Sequence, residues 1–214
     1  MGLTDETTRY MISTTLSDIR AHKPCETGWQ RLLTYLNKTR ADNDTLPLAK
    51  ILDSNDLDDT IWVCSTLAGT QQREFYKLCA YLVERLRLYV FYEGPILTGV
   101  LVKCRDYLSQ QGHPGSAGPL EKQLRRELLD RTRQIQEQRN HMEKLGADND
   151  PDFAFLSAME HLLKIVTGPS TQVLIYWNAL HIVASLPRWA PDPEQETVEI
   201  KLLFHQWAQG IFLP

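Results

Sequence analysis

Apolar side chains recur at intervals of three and four residues through most of this chain, and that spacing limits the fold more than any other feature. The longest run, from Gln71 to Glu93, places apolar residues on one stripe and most charged residues opposite it. Such a stripe buries one face of an α-helix. No stretch of useful length alternates apolar and polar residues as a half-buried strand does. The sequence therefore predicts an all-α fold, an irregular bundle or stack of about eight to nine helices.

Breaks between the predicted helices suggest how the chain is divided. Residues 112–119 contain three glycines and two prolines in eight positions, a composition typical of a linker. Residues 1–16 show little periodicity and are predicted to form a flexible arm. The predicted organisation is therefore an N-terminal helical half at 17–111, the linker, and a C-terminal helical half at 120–214.

Composition and charge exclude several classes of protein. The 214 residues are 43% hydrophobic and 23% charged, which suits a folded protein with a sizeable core rather than a disordered chain. A net charge of −4 gives no general attraction to phosphate or anionic lipid, so nucleic-acid binding would need a local basic patch. The polar N-terminus lacks the features of a secretory signal, so we expect a cytoplasmic protein.

The run from Val173 to Leu186 is the most apolar stretch of the chain. It is too short for a membrane span, and Asn178, His181 and Ser185 interrupt it. Because it is apolar nearly all round, we predict a core helix enclosed by other helices. We expect no membrane partner.

Two groups of aspartates invite a metal-binding interpretation, because hard divalent cations prefer several carboxylate oxygens. The first group can be explained without a metal, as helix caps and first-turn charges. It consists of Asp53, Asp56, Asp58 and Asp59. The second group, Asp148, Asp150 and Asp152, is followed by Phe153 where a calcium loop needs glycine. We therefore predict no metal site and no cofactor.

No set of residues matches a catalytic motif. His22 and Cys25 share a short loop without a third group to orient them, so a turn is the preferred interpretation. His161 and His181 lie on apolar helices, where a hydrogen-bonded core histidine is the usual case. The cysteines match no metal or redox spacing and are expected to be reduced thiols. They are Cys25, Cys64, Cys79 and Cys104. The sequence therefore predicts a protein that is not an enzyme.

Residues 120–145 are predicted to form one long, highly charged helix. Its apolar residues approximate a heptad seam that Arg131 and Gln138 interrupt. The seam residues are Leu124, Leu128, Ile135, Met142 and Leu145. Two arrangements of this helix remain open. It could pack across the helical core of its own chain, or it could pair with a second copy to form a homodimer.

The same helix carries the most basic face of the chain. Acidic residues nearly balance its cations, so a solvated face with salt bridges, a protein contact and a nucleic-acid site all remain open. Arginines on a long exposed helix are good partners for an acidic protein surface. Trp189, in a loop stiffened by prolines, is a further exposed apolar candidate. The predicted partner-binding residues are Lys122, Arg125, Arg126, Arg133, Arg139 and Trp189.

The first quarter of the chain resembles a known group of proteins. The residues that carry the resemblance are Asp18-Ile19-Arg20-Ala21-His22, Cys25, Gly28-Trp29, Leu32-Leu33, Lys38-Thr39, Ile51-Leu52-Asp53-Ser54-Asn55, Leu57-Asp58-Asp59 and Trp62. With them, residues 18–67 resemble a recurrent domain of uncharacterised phage and prophage-borne proteins, many of which have glycine in place of Asp56. Some relatives continue into helical repeats that resemble immunity proteins, which this chain lacks. The resemblance implies an all-α fold and a mobile-element setting, and no activity.

Three functional hypotheses follow. The leading one is a non-enzymatic phage or mobile-element protein that binds a host or phage protein and inhibits or modulates a defence system, such as CRISPR interference. The first alternative is a nucleic-acid-binding regulator that uses the basic face of 120–145. The second is a metal-dependent hydrolase built on Asp53, Asp56, Asp58 and Asp59.

Overall fold

The computed structural model describes residues 11–89, 95–110, 119–147, 149–168 and 171–211. These residues form ten α-helices, one 3-10 turn and one antiparallel pair of short strands. The helices are α1 (Leu16–Ala21), α2 (Glu26–Tyr35), α3 (Leu48–Ser54), α4 (Leu57–Cys64), α5 (Gly69–Leu86), α6 (Pro95–Gln110), α7 (Pro119–Lys144), α8 (Pro151–Thr167), α9 (Gln172–Trp189) and α10 (Pro193–Ala208). The strands are β1 (Ser13–Thr15) and β2 (Thr45–Pro47), and the 3-10 turn is Arg87–Tyr89.

The all-α prediction is confirmed. The described residues form ten helices rather than the predicted eight to nine. The additional one is α1, a short helix with its own cap. The side chain of Thr15 accepts a hydrogen bond from the backbone N–H of Asp18 at 3.0 Å, which satisfies one donor of the first turn.

The chain separates into two compact units whose limits differ from the predicted halves. The first unit comprises Met1–Gln71 and Val198–Pro214, and the second comprises Gln72–Thr197. The end of the chain therefore belongs with its beginning, an arrangement that local composition cannot reveal. The predicted linker at 112–119 lies outside the described residues, apart from Pro119 at the start of α7.

The prediction of a flexible arm at 1–16 is wrong for the residues from 11 onward. Strand β1 pairs with β2 in the register Ser13 to Pro47, and Ile12 and Leu16 are 4% and 1% exposed. The backbone N–H of Ile12 donates to the carbonyl of Ala208 at 3.0 Å, so this segment also bonds to α10 within the first unit. Residues 1–10 lie outside the described part of the chain.

In the first unit, α2 meets the junction of α3 and α4 at a glycine. The amide nitrogen of Asn55 donates to the carbonyl of Gly28 at 3.0 Å and to Oδ2 of Asp59 at 2.8 Å. A Cβ atom at Gly28 would lie 2.7 Å from Oδ2 of Asp59, closer than real Cβ atoms approach. The absence of a side chain at Gly28 therefore lets the two helical segments close on each other.

In the second unit, α8 is buried along almost its whole length. It packs against α7 and α9, and α6 packs against α7. The predicted seam of α7 meets this core at Leu128 and Ile135, both fully buried, whereas Leu145 is 70% exposed. Of the two arrangements left open, α7 thus packs within its own chain at these two positions.

A buried ion pair links α5 to the first turn of α10 in the second unit. Glu196 is only 3% exposed and accepts two hydrogen bonds from Arg85, each of 2.7 Å, and one of 2.6 Å from the hydroxyl of Tyr89. Burial raises the pKa of Glu196, but the hydrogen bonds from Arg85 and Tyr89 and the charge of Arg85 outweigh it, so its pKa is lower than usual. The carboxylate is therefore charged and fully paired.

Replacing Gly28 with alanine is expected to lower the free energy of unfolding by about 1–3 kcal/mol, because Asp59 must leave its place beside Asn55. Urea unfolding of Gly28→Ala and the native chain measures the change. Gly99→Ala is the matched control, since an added Cβ meets nothing within 4 Å there. A helical alanine should raise the stability at Gly99 by about 0.5–1 kcal/mol. Equal effects of the two substitutions would contradict the close contact.

Removing Arg85 is expected to cost about 3–5 kcal/mol, because Glu196 would remain buried without its cation. The control is Arg105→Ala, since Arg105 lies 3.3 Å from Glu84 in an exposed pair. Exposed pairs contribute about 0–1 kcal/mol. Chemical unfolding of both variants compares the two pairs, and a loss below about 1 kcal/mol for Arg85→Ala would show that the buried pair is dispensable.

Candidate functional site

Helix α9 is not enclosed, contrary to the prediction of a core helix. Its inward side is buried against the rest of the second unit, but Val173, Leu174 and Trp177 are 63%, 46% and 53% exposed. His181, Ala184 and Arg188 are exposed as well. We call these six residues, Val173, Leu174, Trp177, His181, Ala184 and Arg188, the α9 face.

The α9 face is a continuous strip rather than a scatter of exposed residues. At 100° per residue its six positions fall within an arc of about 100°, and at 1.5 Å per residue they extend over about 22 Å. The buried residues Ile175, Ile182 and Leu186 lie on the opposite side of the helix. Its large apolar residues, Val173, Leu174 and Trp177, are grouped at one end, and grouped exposed apolar side chains are characteristic of a binding surface, whereas single ones are not.

A histidine of the α9 face, His181, stacks on a histidine of the neighbouring helix α8. The imidazole rings of His161 on α8 and His181 on α9 are 4.5 Å apart between centroids and nearly parallel, at 6°. Nδ1 of His161 lies 2.7 Å from Oδ1 of the buried Asn178, so this nitrogen carries the hydrogen. Burial lowers the pKa of His161, and the nearby charges of His181 and Lys164 lower it further, against the opposing effect of Asn178. Glu160 opposes this as well, but the pKa of His161 stays below its usual value.

A buried carboxylate lies next to this pair in sequence and takes two cations. Glu160 is 1% exposed, with Nε of Arg139 at 2.9 Å from Oε2 and Nζ of Lys164 at 2.6 Å from Oε1. Arg139, predicted to bind a partner, thus takes part in an ion pair between α7 and α8. A second cation beside the same carboxylate leaves the group with a net positive charge.

The other predicted partner-binding residues on α7 are exposed, but two of them have partners within the chain. Arg125 donates to the carbonyl of Thr167 at 2.9 Å, and Arg133 lies 3.8 Å from Asp130 of its own helix. Lys122 and Arg126 are exposed on α7. The basic face of α7 is therefore partly taken up by contacts within the chain.

Trp189 is not in a proline-stiffened loop. Helix α9 continues through Pro187 and ends at Trp189, which is half-buried. The guanidinium carbon of Arg188 lies 5.4 Å from the centre of its ring, a cation–π distance. The exposed tryptophan of this helix is Trp177, which the sequence-based prediction did not select.

The aspartates considered for metal binding mostly have other partners. Asp53 lies 2.9 Å from Nε2 of His205, and Asp56 accepts from the backbone N–H of Asp59 as the cap of α4. Within the described ranges, no three His, Cys, Asp or Glu side chains are grouped so as to hold a metal ion. The calcium-loop candidate includes Asp148, which lies outside the described residues.

His22 and Cys25 each lie against other groups of the chain. Nδ1 of His22 lies 2.9 Å from the carbonyl oxygen of Asp18, whereas Sγ of Cys25 accepts from the backbone N–H of Gly28 at 3.3 Å and caps α2. In the part of the chain that the structure describes, no helix is long and apolar enough to span a membrane.

Mild acid is expected to destabilise the second unit through His161. The folded pKa lies below the ordinary value of 6.5, so folding excludes a proton that the unfolded chain accepts. The stabilisation is complete above the unfolded pKa and is lost as the pH falls from about 6.5 toward the folded pKa.

Urea unfolding of the native chain and His161→Gln between about pH 7.5 and pH 5 measures this effect. The free energy of unfolding of His161→Gln should depend less on pH than that of the native chain. His141→Gln, at an exposed position on α7, should show the same dependence as the native chain. Identical pH profiles for all three proteins would show that His161 does not carry the effect.

Comparison of the chain with protein-family models, with curated proteins and with solved structures finds no match. The resemblance of residues 18–67 to phage-borne domains therefore stays a prediction.

Proposed function

We propose that this protein acts by binding another protein, that the α9 face is the binding surface, and that the chain is not an enzyme. The observation that carries the proposal is the exposure of Trp177 at 53% within a strip of exposed apolar residues. Tryptophan is among the residues that most often dominate the energetics of protein interfaces. Its large ring area remains in contact with water until a partner covers it.

The surroundings of Trp177 support binding rather than simple exposure. Tyr176, the preceding residue, has its ring 5.1 Å from that of Trp177, which supports the indole from one side. The helix beneath is anchored by Ile175, Ala179 and Ile182, each of them at most 2% exposed. A rigid base lowers the entropic cost of ordering the interface when a partner binds.

Two features support the proposed setting. Residues 18–67 resemble phage-borne domains, which supports a host or phage protein as partner and a subunit of a defence system, such as CRISPR interference, as the specific candidate. Inhibition or modulation of that system would be the effect. Among the described residues the four cysteines are free thiols, which supports a reducing compartment such as the host cytoplasm.

Protein binding is preferred to the two alternatives. A nucleic-acid site on α7 would need its cations to face phosphate, but Arg125 and Arg139 contact groups of their own chain. A metal-dependent hydrolase would need clustered carboxylates, but Asp53 and Asp59 are engaged with His205 and Asn55. The α9 face needs no rearrangement to receive a partner.

Trp177→Ser is expected to abolish capture of the partner from a host lysate, since the loss of a central aromatic residue typically costs at least about 2 kcal/mol of binding free energy. Leu202→Ser is the matched control, because Leu202 is 55% exposed but lies on α10. Affinity capture on the immobilised full-length chain, followed by mass spectrometry, compares the variants.

The native chain and Leu202→Ser should recover the same protein, and Trp177→Ser should lose it. Equal recovery by all three proteins would count against the α9 face. Turnover of a small substrate by the purified chain alone would count against a binding role.

A further inference from the structure

We infer that the partner presents an acidic amphipathic segment to the α9 face, with apolar side chains along its centre and carboxylates at its margins. This inference rests on the proposed function and names the chemistry of the partner. It follows from the distribution of charge around the apolar strip.

Helix α9 contains no acidic residue. From Gln172 to Trp189, its ionisable side chains are Tyr176, His181 and Arg188. Arg188 is exposed, and its Nη2 donates to Oδ1 of Asn149 at 2.9 Å, a neutral acceptor that leaves the positive charge in place. The α9 face thus ends in an exposed cation, Arg188, while its large apolar residues lie toward the start of the helix.

The neighbouring helix adds positive charge along one edge of the strip. His161, which stacks on His181, is followed by Lys164 less than one turn further along α8. Glu160 is enclosed at 1% exposure and is shared between Lys164 and Arg139, so its single negative charge is more than neutralised. A partner at this edge would meet ammonium and guanidinium groups rather than a carboxylate.

The acidic residues near the far end of α8 belong to its first turn. Asp150 caps α8 by accepting from the backbone N–H of Asp152 at 2.8 Å. Both carboxylates lie at the N-terminus of α8, where the positive end of the helix dipole favours negative charge. Because Asp150 follows Asn149, the acceptor of Arg188, these acids lie near the Arg188 end of the strip and not beside Val173, Leu174 and Trp177.

An acidic amphipathic segment fits this surface better than a second copy of the chain. Pairing two α9 faces would bring their cations toward one another and leave both without a countercharge. A segment with carboxylates at its margins would cover Val173, Leu174 and Trp177 and place those carboxylates against Lys164 and Arg188. Complementary charges of this kind increase the association rate and fix the orientation of the partner.

A yeast-displayed library of amphipathic helical peptides tests the inference without a known partner. The peptides are about 18 residues long, matched to α9, with apolar residues at helical spacing and all other positions random in charge. The full-length chain is the labelled bait in four forms: native, Trp177→Ser, Arg188→Glu and Arg133→Glu. Arg133 is the matched control, an exposed arginine on α7 whose side chain is 80% accessible.

Peptides selected by the native chain should carry a net negative charge. Their apparent Kd should weaken by at least about tenfold with Trp177→Ser and by about three- to tenfold with Arg188→Glu. Arg133→Glu should change it by less than about twofold.

Other results overturn the inference in distinguishable ways. Selected peptides that depend on Trp177 but are neutral or basic would overturn the acidic partner and leave the proposed binding face intact. Selection of no peptides, or binding unaffected by Trp177→Ser, would overturn both proposals. A dimer seen by light scattering with the native chain and lost with Trp177→Ser would assign the face to a second copy instead.

Discussion

Helix α8 has apolar side chains around most of its circumference, and the second unit is arranged to cover them. Phe155, Met159 and Leu162 are fully buried, and so is the charged residue Glu160 in the same helix. Water must be excluded from more than one side of α8, so α7 and α9 each turn one face toward it. The faces that they leave outside are then those available for binding.

The burial of Glu160 extends this constraint from apolar packing to charge. A carboxylate taken out of water needs countercharges, and one of the two that Glu160 receives comes from another helix. Arg139 reaches it from α7, while Lys164 reaches it from one turn further along α8. Arg139 and Lys164, which a sequence would assign to the surface, are thereby held in ion pairs. Their charges make the edge next to the α9 face positive.

The helices of this protein could be predicted because their apolar spacing and their caps are local. Leu128 and Ile135 appear in the sequence as members of a seam, and they are buried as such a seam requires. Strands β1 and β2 could not be predicted, because three residues are too few to show alternation and their hydrogen bonds join positions far apart in the chain. The return of Val198–Pro214 to the first unit is equally a matter of long-range contacts.

The candidate site was missed for a related reason. A helix that is apolar all round gives no sign of which side remains uncovered, so Trp177 could not be distinguished from buried neighbours such as Ile182. Arg139 shows the opposite limitation, because a charged residue on a charged helix gives no sign of a buried carboxylate on another element. Both limitations concern tertiary partners and not secondary structure.

The position of the four thiols has a consequence for the chemistry of the chain. Burial raises the pKa of the Cys79 thiol and raises that of Cys104 to about 12, which suppresses the reactive thiolate. Cys64 is also buried, whereas Cys25 is exposed at the start of α2. A thiol-directed alkylating or oxidising reagent therefore meets one accessible thiol, and its reaction there removes the acceptor that caps α2. Covalent modification of Cys25 would therefore also loosen the first turn of α2.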